Sequence, residues 1–137
     1  MGYLFGQLSS GSGGGGGGGG TLTGYVAALV PAGSTDAFDP GGGFPGTVGS
    51  PIGRLDLDPS LGNATLQGLK AGLDGQLLLV RNTDAVNTLA LSGAGSGTAG
   101  DSFATEGALD ATLNPGASIL LCYYGATTGV DAWVVVS

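Results

Sequence analysis

From about Pro51 to Ser137 the chain alternates short apolar segments with turn-forming residues. That spacing predicts strands over 52–57, 64–69, 76–82, 86–92, 101–105, 109–113, 117–124 and 130–136. Asp74-Gly75 and Asn114-Pro115-Gly116 are turn sequences between them. In 86–92, Leu89 and Leu91 fall on one face, the period-2 pattern of a half-buried strand. The segment 117–124 is apolar on both faces: Ile119, Leu121 and Tyr123 point one way, Leu120, Cys122 and Tyr124 the other. A strand of that kind is covered on both sides, by its own fold and by a neighbouring copy. The faint helical spacing of 66–73 is undercut by Gly68 and Gly72. The fold class expected is all-β, an antiparallel sandwich of jelly-roll type over residues 51–137.

Upstream the pattern changes. Residues 21–50 open with an apolar stretch, 22–30, that could form one strand. They then pass through Pro31, Pro40, Pro45 and Pro51 with Gly41 to Gly43, too much punctuation for a helix or a central strand. This zone is expected to be an extended arm whose anchoring side chains are Phe38 and Phe44. Residues 1–20 combine an apolar tip, with Tyr3, Leu4, Phe5 and Leu8, and an unbroken run of glycines from Gly13 to Gly20. Such a run buries no apolar area and loses the most backbone entropy on ordering, so it reads as a tether, and the tip as a plug for a partner's pocket.

The residues 68–83 (GLKAGLDGQLLLVRNT), Leu89 to Ser92, Phe103, 111–124 (ATLNPGASILLCYY) and 132–136 (AWVVV) together resemble a β-domain found in bacteriophage tail-fibre, head-fibre and other virion appendage proteins. The order matches: a Gly-Asp or Asp-Gly turn into a Leu-rich strand ending in Asn, a Leu-x-Leu strand, a loop ending at Phe, a Leu-x-Pro-Gly turn, an apolar strand with Tyr, and a Trp strand. Asp101-Ser102 stands where such domains often carry Asn-Arg. The resemblance implies a non-enzymatic virion protein made in the host cytoplasm, of capsid decoration (cement) or head-fibre type. It would be held by its N-terminal arm to the major capsid protein or other virion proteins. A tail-fibre or tail-tip component, or a receptor- or carbohydrate-binding adhesin, is the alternative.

Composition narrows the chemistry. Of 137 residues only 9% are charged, against about 25% in ordinary domains. Apolar residues make up 42%, so partners are expected to cover part of the surface. This low charge and the two-faced strand 117–124 argue for a homotrimer, with Ile119, Leu121, Tyr123 and Trp133 at the interface. Ten acids stand against Arg54, Lys70 and Arg81, a net charge of −7, which excludes a phosphate-tracking surface and hence nucleic acid. No apolar run is long enough to span a bilayer as a helix.

With no histidine in the chain, the usual general base, the Ser-His and Cys-His pairs and most zinc sites are gone. No catalytic residue, metal or cofactor is expected. Cys122 reads as a small hydrophobe within a strand. Gly95 to Gly100 spells G-x-G-x-x-G, but Asp101 follows it and no helix begins there, so it is a strand connection rather than a nucleotide site. The pairs Asp56/Asp58 and Asp36/Asp39 lack the density of a calcium loop and read as solubilising acids.

Overall fold

The computed structural model describes residues 24–92, 102–103, 110–125 and 132–136, and all of its regular structure is β. The apolar tip, the glycine run, the Gly95 to Gly100 loop and most of the connections flanking Phe103 lie outside the described residues. The strands are β1 (Tyr25–Leu29), β2 (Gly33–Phe38), β3 (Gly46–Thr47), β4 (Ser50–Pro51), β5 (Arg54–Asp58), β6 (Ala64–Leu69), β7 (Leu77–Asn82), β8 (Leu89–Ser92), β9 (Ser102–Phe103), β10 (Asp110–Leu113), β11 (Ser118–Tyr124) and β12 (Ala132–Val135). Each of the eight segments expected after Pro51 overlaps one of the strands β5 to β12, with β8 and β9 shorter than expected over the described residues.

Ten strands form one sheet in the order β1-β5-β7-β11-β12-β9-β6-β8-β10, with β2 also on β6; β3 and β4 make a separate small hairpin. The sheet is mixed, not antiparallel as expected. β1, β5 and β7 run parallel to one another, and so do β2, β6 and β8. The pairs β1–β2, β5–β6 and β7–β8 are therefore three β-arches stacked in register. Within each arch the two strands do not pair with each other; each pairs with the equivalent strand of the next arch. Local turn chemistry cannot produce a hairpin across such an arch, so the antiparallel expectation fails there.

Short polar turns shape the arches, and hydrogen bonds run between them. Asp58 Oδ1 accepts from Ser60 N at 3.1 Å, and Asp84 Oδ2 accepts from Val86 N and Asn87 N at 3.0 and 2.6 Å. Asn63 ties all three levels together: its carbonyl accepts from Gly33 N in the first arch, and its Oδ1 from Thr88 N in the third. Asn82, fully buried, donates through Nδ2 to the Asn87 and Leu113 carbonyls and accepts from Asp84 N. These three side-chain bonds fix the β7–β8 arch and fasten β10 to it.

The inward side chains of both halves of the sheet meet in one core. Val26, Leu55, Leu57, Leu78, Val80, Leu121, Tyr123 and Trp133 come from one half, and Phe38, Leu66, Leu89, Leu91, Phe103 and Leu113 from the other. Trp133 sits at its centre with no exposed surface. Its Nε1 donates to the Lys70 carbonyl at 3.0 Å, the Tyr123 ring meets it edge-on at 5.1 Å, and Phe44 lies 6.0 Å away.

β1 falls within the stretch 22–30 read as one strand, whereas residues 33–38, read as extended arm, form β2; both belong to the main sheet, so the β-domain extends upstream of residue 51. Phe38 and Phe44 are anchoring side chains, but what they anchor to is this chain's own core, at 7% and 2% exposure. The remaining loop is held down by Gln76, whose Nε2 donates to the Pro45 and Ile52 carbonyls at 3.0 and 2.7 Å.

Candidate functional site

The outward face of the β1-β5-β7-β11-β12 half divides into two territories. Over β1 and β5 it is polar and aromatic. Arg54 Nη2 lies 3.1 Å from Asp56 Oδ2, and the guanidinium stands over the Tyr25 ring, 4.2 Å from its centroid. Asp56 is buried although it sits on the outer side, and its Oδ1, like Arg54 Nε, has no hydrogen-bond partner. A shallow hollow of about 370 Å³ beside these groups is lined by Tyr25, Ala27, Ala28, Leu29, Asp56, Asp58 and Thr83.

Over β7, β11 and β12 the same face turns apolar. The register sets Leu79 beside Leu120, Leu77 beside Cys122, and Cys122 beside Val134. Leu77, Tyr124 and Val136 are 45%, 42% and 46% exposed, while Leu79, Leu120, Cys122 and Val134 are half-buried. This patch is continuous across three strands and is bounded by Arg81, which stands on the same face of β7 in register with Ser118. Burial pushes the Cys122 thiol above its ordinary pKa, and the Asp74 carboxylate pushes it further, so the thiol stays protonated and apolar at neutral pH.

Strand β11 is covered on one face by its own fold, as the two-sided pattern requires, but the faces are assigned the other way round. Leu121, Tyr123 and Trp133, expected at a subunit interface, point into the core at 0%, 3% and 0% exposure, and Ile119 packs against the same core. The outward residues are Leu120, Cys122 and Tyr124. Alternation along 118–124 identifies two apolar faces but not which is inside; that depends on the partners β7 and β12, which the local pattern does not name. A carbohydrate-binding adhesin would use exposed aromatic rings, and Tyr123 and Trp133 are buried in the core.

Asp39 Oδ1 accepts from Gly41 N and its Oδ2 lies 3.5 Å from Lys70 Nζ, while Asp36 is exposed on β2. Among the described residues no group of three or more His, Cys, Asp or Glu side chains could hold a metal ion. None of the described segments is a helix long and apolar enough to cross a membrane. Tyr3, Leu4, Phe5 and Leu8, expected to plug a partner's pocket, lie outside the described residues. Compared with protein-family models, curated proteins and solved structures, the chain matches none.

Proposed function

We propose that this chain is a non-enzymatic structural protein of a bacteriophage virion, of capsid decoration or head-fibre type, working as a homo-oligomer. In this reading the two halves of the sheet are the layers of a sandwich, and residues 1–20 attach it to the major capsid protein or another virion protein. The observation that carries the reading is the apolar patch over β7, β11 and β12, with a single cation, Arg81, at its margin. A domain with so few charges that leaves Leu77, Tyr124 and Val136 half-exposed beside Leu79, Leu120 and Val134 is built to be covered by protein. The residues that resemble virion appendage domains lie largely on β6 to β12, the strands that build this patch and the core beneath it. The trimer expected from a two-faced β11 now rests on the outward face alone.

The test has two arms. Gel densitometry of purified particles gives the copy number: decoration requires many copies per particle, a tail component few, and absence from particles overturns the reading. In the second arm, Leu120→Asp places a carboxylate at the centre of the patch. It should weaken self-association by about thirtyfold, the scale of one interface hot spot, and leave the folded domain soluble. Unchanged association in that variant would remove the patch from the interface.

A further inference from the structure

The stack of arches is finished at one end and open at the other. Both strands of the last arch are covered by antiparallel neighbours, β7 by β11 and β8 by β10. In the first arch, β1 pairs with β5 and β2 with β6, and among the described residues neither has a neighbour on its other side.

The two open edges are not equivalent. β2 carries the exposed Asp36, one of the devices that keep an edge from recruiting another strand. β1 reads Tyr-Val-Ala-Ala-Leu, with no charge and no proline. The bonds from Val30 N to the Asp58 carbonyl and from Gly53 N to the Gly24 carbonyl fix which residues of β1 face β5. The intervening Tyr25, Ala27 and Leu29 therefore turn their N–H and C=O groups to the open side. Their side chains lie on the outward face, with Tyr25 55% and Leu29 54% exposed.

We propose that this edge is a self-association site: β1 pairs antiparallel with β1 of a second copy, about a two-fold axis through Ala27. The register is self-complementary. Ala27 faces Ala27 of the second copy, Tyr25 faces Leu29 of the second copy, and Leu29 faces its Tyr25. All three positions are hydrogen-bonded pairs of the antiparallel ladder, because these are the residues whose amides point outward. Each Tyr25 ring, backed by Arg54, gains an aliphatic cross-strand neighbour, a favourable pairing on a sheet.

Charge selects the same arrangement. On β5, Arg54 stands in register with Tyr25 and Asp58 with Leu29. Antiparallel docking sets the Arg54 end of one copy toward the Asp58 end of the other, whereas parallel docking would align like charges. No residue from 24 to 32 is charged, so the seam itself carries no repulsion. The contact is separate from the patch over β11 and holds or falls independently of whether the protein sits in a virion.

The experiment uses the full chain, with sedimentation velocity over a concentration series and hydrogen exchange of the β1 amides. Wild type should associate in a concentration-dependent way, with Tyr25, Ala27 and Leu29 amides protected in the associated state and exchanging freely on dilution. Ala27→Pro removes an outward N–H without touching the bonds to β5, and should raise the dissociation constant of this contact at least tenfold. Because Ala27 opposes itself, Ala27→Lys and Ala27→Asp should each lose the contact alone and recover it when mixed in equal amounts, a readout that survives if the proline variant does not fold. Recovery in the mixture with loss in each single variant supports the proposal.

Wild-type association in both charged variants overturns it, as does failure of the mixture to recover. Protection of the three amides in dilute monomer also overturns it, and would mean another segment of this chain occupies the edge. If Leu120→Asp disrupts association and the Ala27 variants do not, the patch reading stands and this one falls.

Discussion

Gly72 lies under the Trp133 ring, and the cost of adding one methyl group there can be worked out from the structure. A Cβ at position 72 would sit 2.6 Å from Trp133 Cζ2, 2.7 Å from Cη2 and 2.9 Å from Gln76 Oε1. Carbon atoms in contact prefer about 3.5–4.0 Å, so the ring must retreat by roughly 1 Å. It has little room to do so, being fully buried against Tyr123 and Phe44 and held by its bond to the Lys70 carbonyl. Overpacking of this kind costs about 1–3 kcal/mol, and a buried donor pulled off its acceptor costs about 1–3 kcal/mol more. The expected penalty for Gly72→Ala is then about 3 kcal/mol, on the order of a hundredfold in the folded-to-unfolded ratio. For a domain of this size that lowers Tm by roughly 10–20 °C.

Urea unfolding at fixed protein concentration, followed by far-UV circular dichroism so that variants lacking Trp133 can be read in the same way, measures the penalty. Gly75→Ala is the control: its φ of +82° strains a side chain, but nothing lies within 4 Å, so about 1 kcal/mol is expected. The double variant Gly72→Ala/Trp133→Phe should be less destabilised than the sum of its single changes, because the smaller ring vacates the clash. A loss for Gly72→Ala no larger than the Gly75→Ala control, or strict additivity in the double variant, would refute the argument.

Asn82→Ala strips three hydrogen bonds from a fully buried site and should cost about 2–4 kcal/mol by the same assay. Gln76→Ala frees the Pro45 and Ile52 carbonyls, and should speed exchange of the Gly46 and Ile52 amides in the β3–β4 hairpin more than amides of β7. Asp84 is held below the ordinary carboxylate pKa by the backbone N–H of Asn87 first and that of Val86 next. Its contribution is therefore present above the unfolded-state value of about 3.9 and lost as pH falls through the lower folded value, and Asp84→Asn should remove that part of the acid sensitivity in urea titrations across this range. The Cys122 thiol, raised by burial and then by Asp74, should alkylate more slowly at pH 8 in the folded protein than in urea, with equal rates counting against the assignment.

The strands after Pro51 were legible because turn residues bracket each one and alternation marks its faces. β2 was not, because Gly33 to Ala37 has no apolar face and only Phe38 reaches the core. Parallel stacking was also hidden from local pattern. Leu55 and Leu57 pair with Val80 and Asn82 at the same offset as Ala64 and Leu66 pair with Leu89 and Leu91, but the two segments share few residues at that offset, so the stacking shows in the pairing rather than in the sequence. Of the candidate surface, the two-faced character of β11 was visible but the choice of outward face was not. The β1 edge could not be seen at all, since an open edge is a property of neighbours rather than of residues.

The bond from Trp133 to Lys70 and its packing on Phe44 also set a timetable. Phe44 leaves the ribosome early, while the ring that covers it belongs to the twelfth strand. At translation rates of about 5–20 residues per second the interval is on the order of ten seconds. During it, the arches can stack as they emerge, but the pit over Gly72 stays unfilled and Phe44 keeps an uncovered face. A chain stopped before residue 133 would hold nearly every strand of the sheet and still lack the side chain around which its core is built.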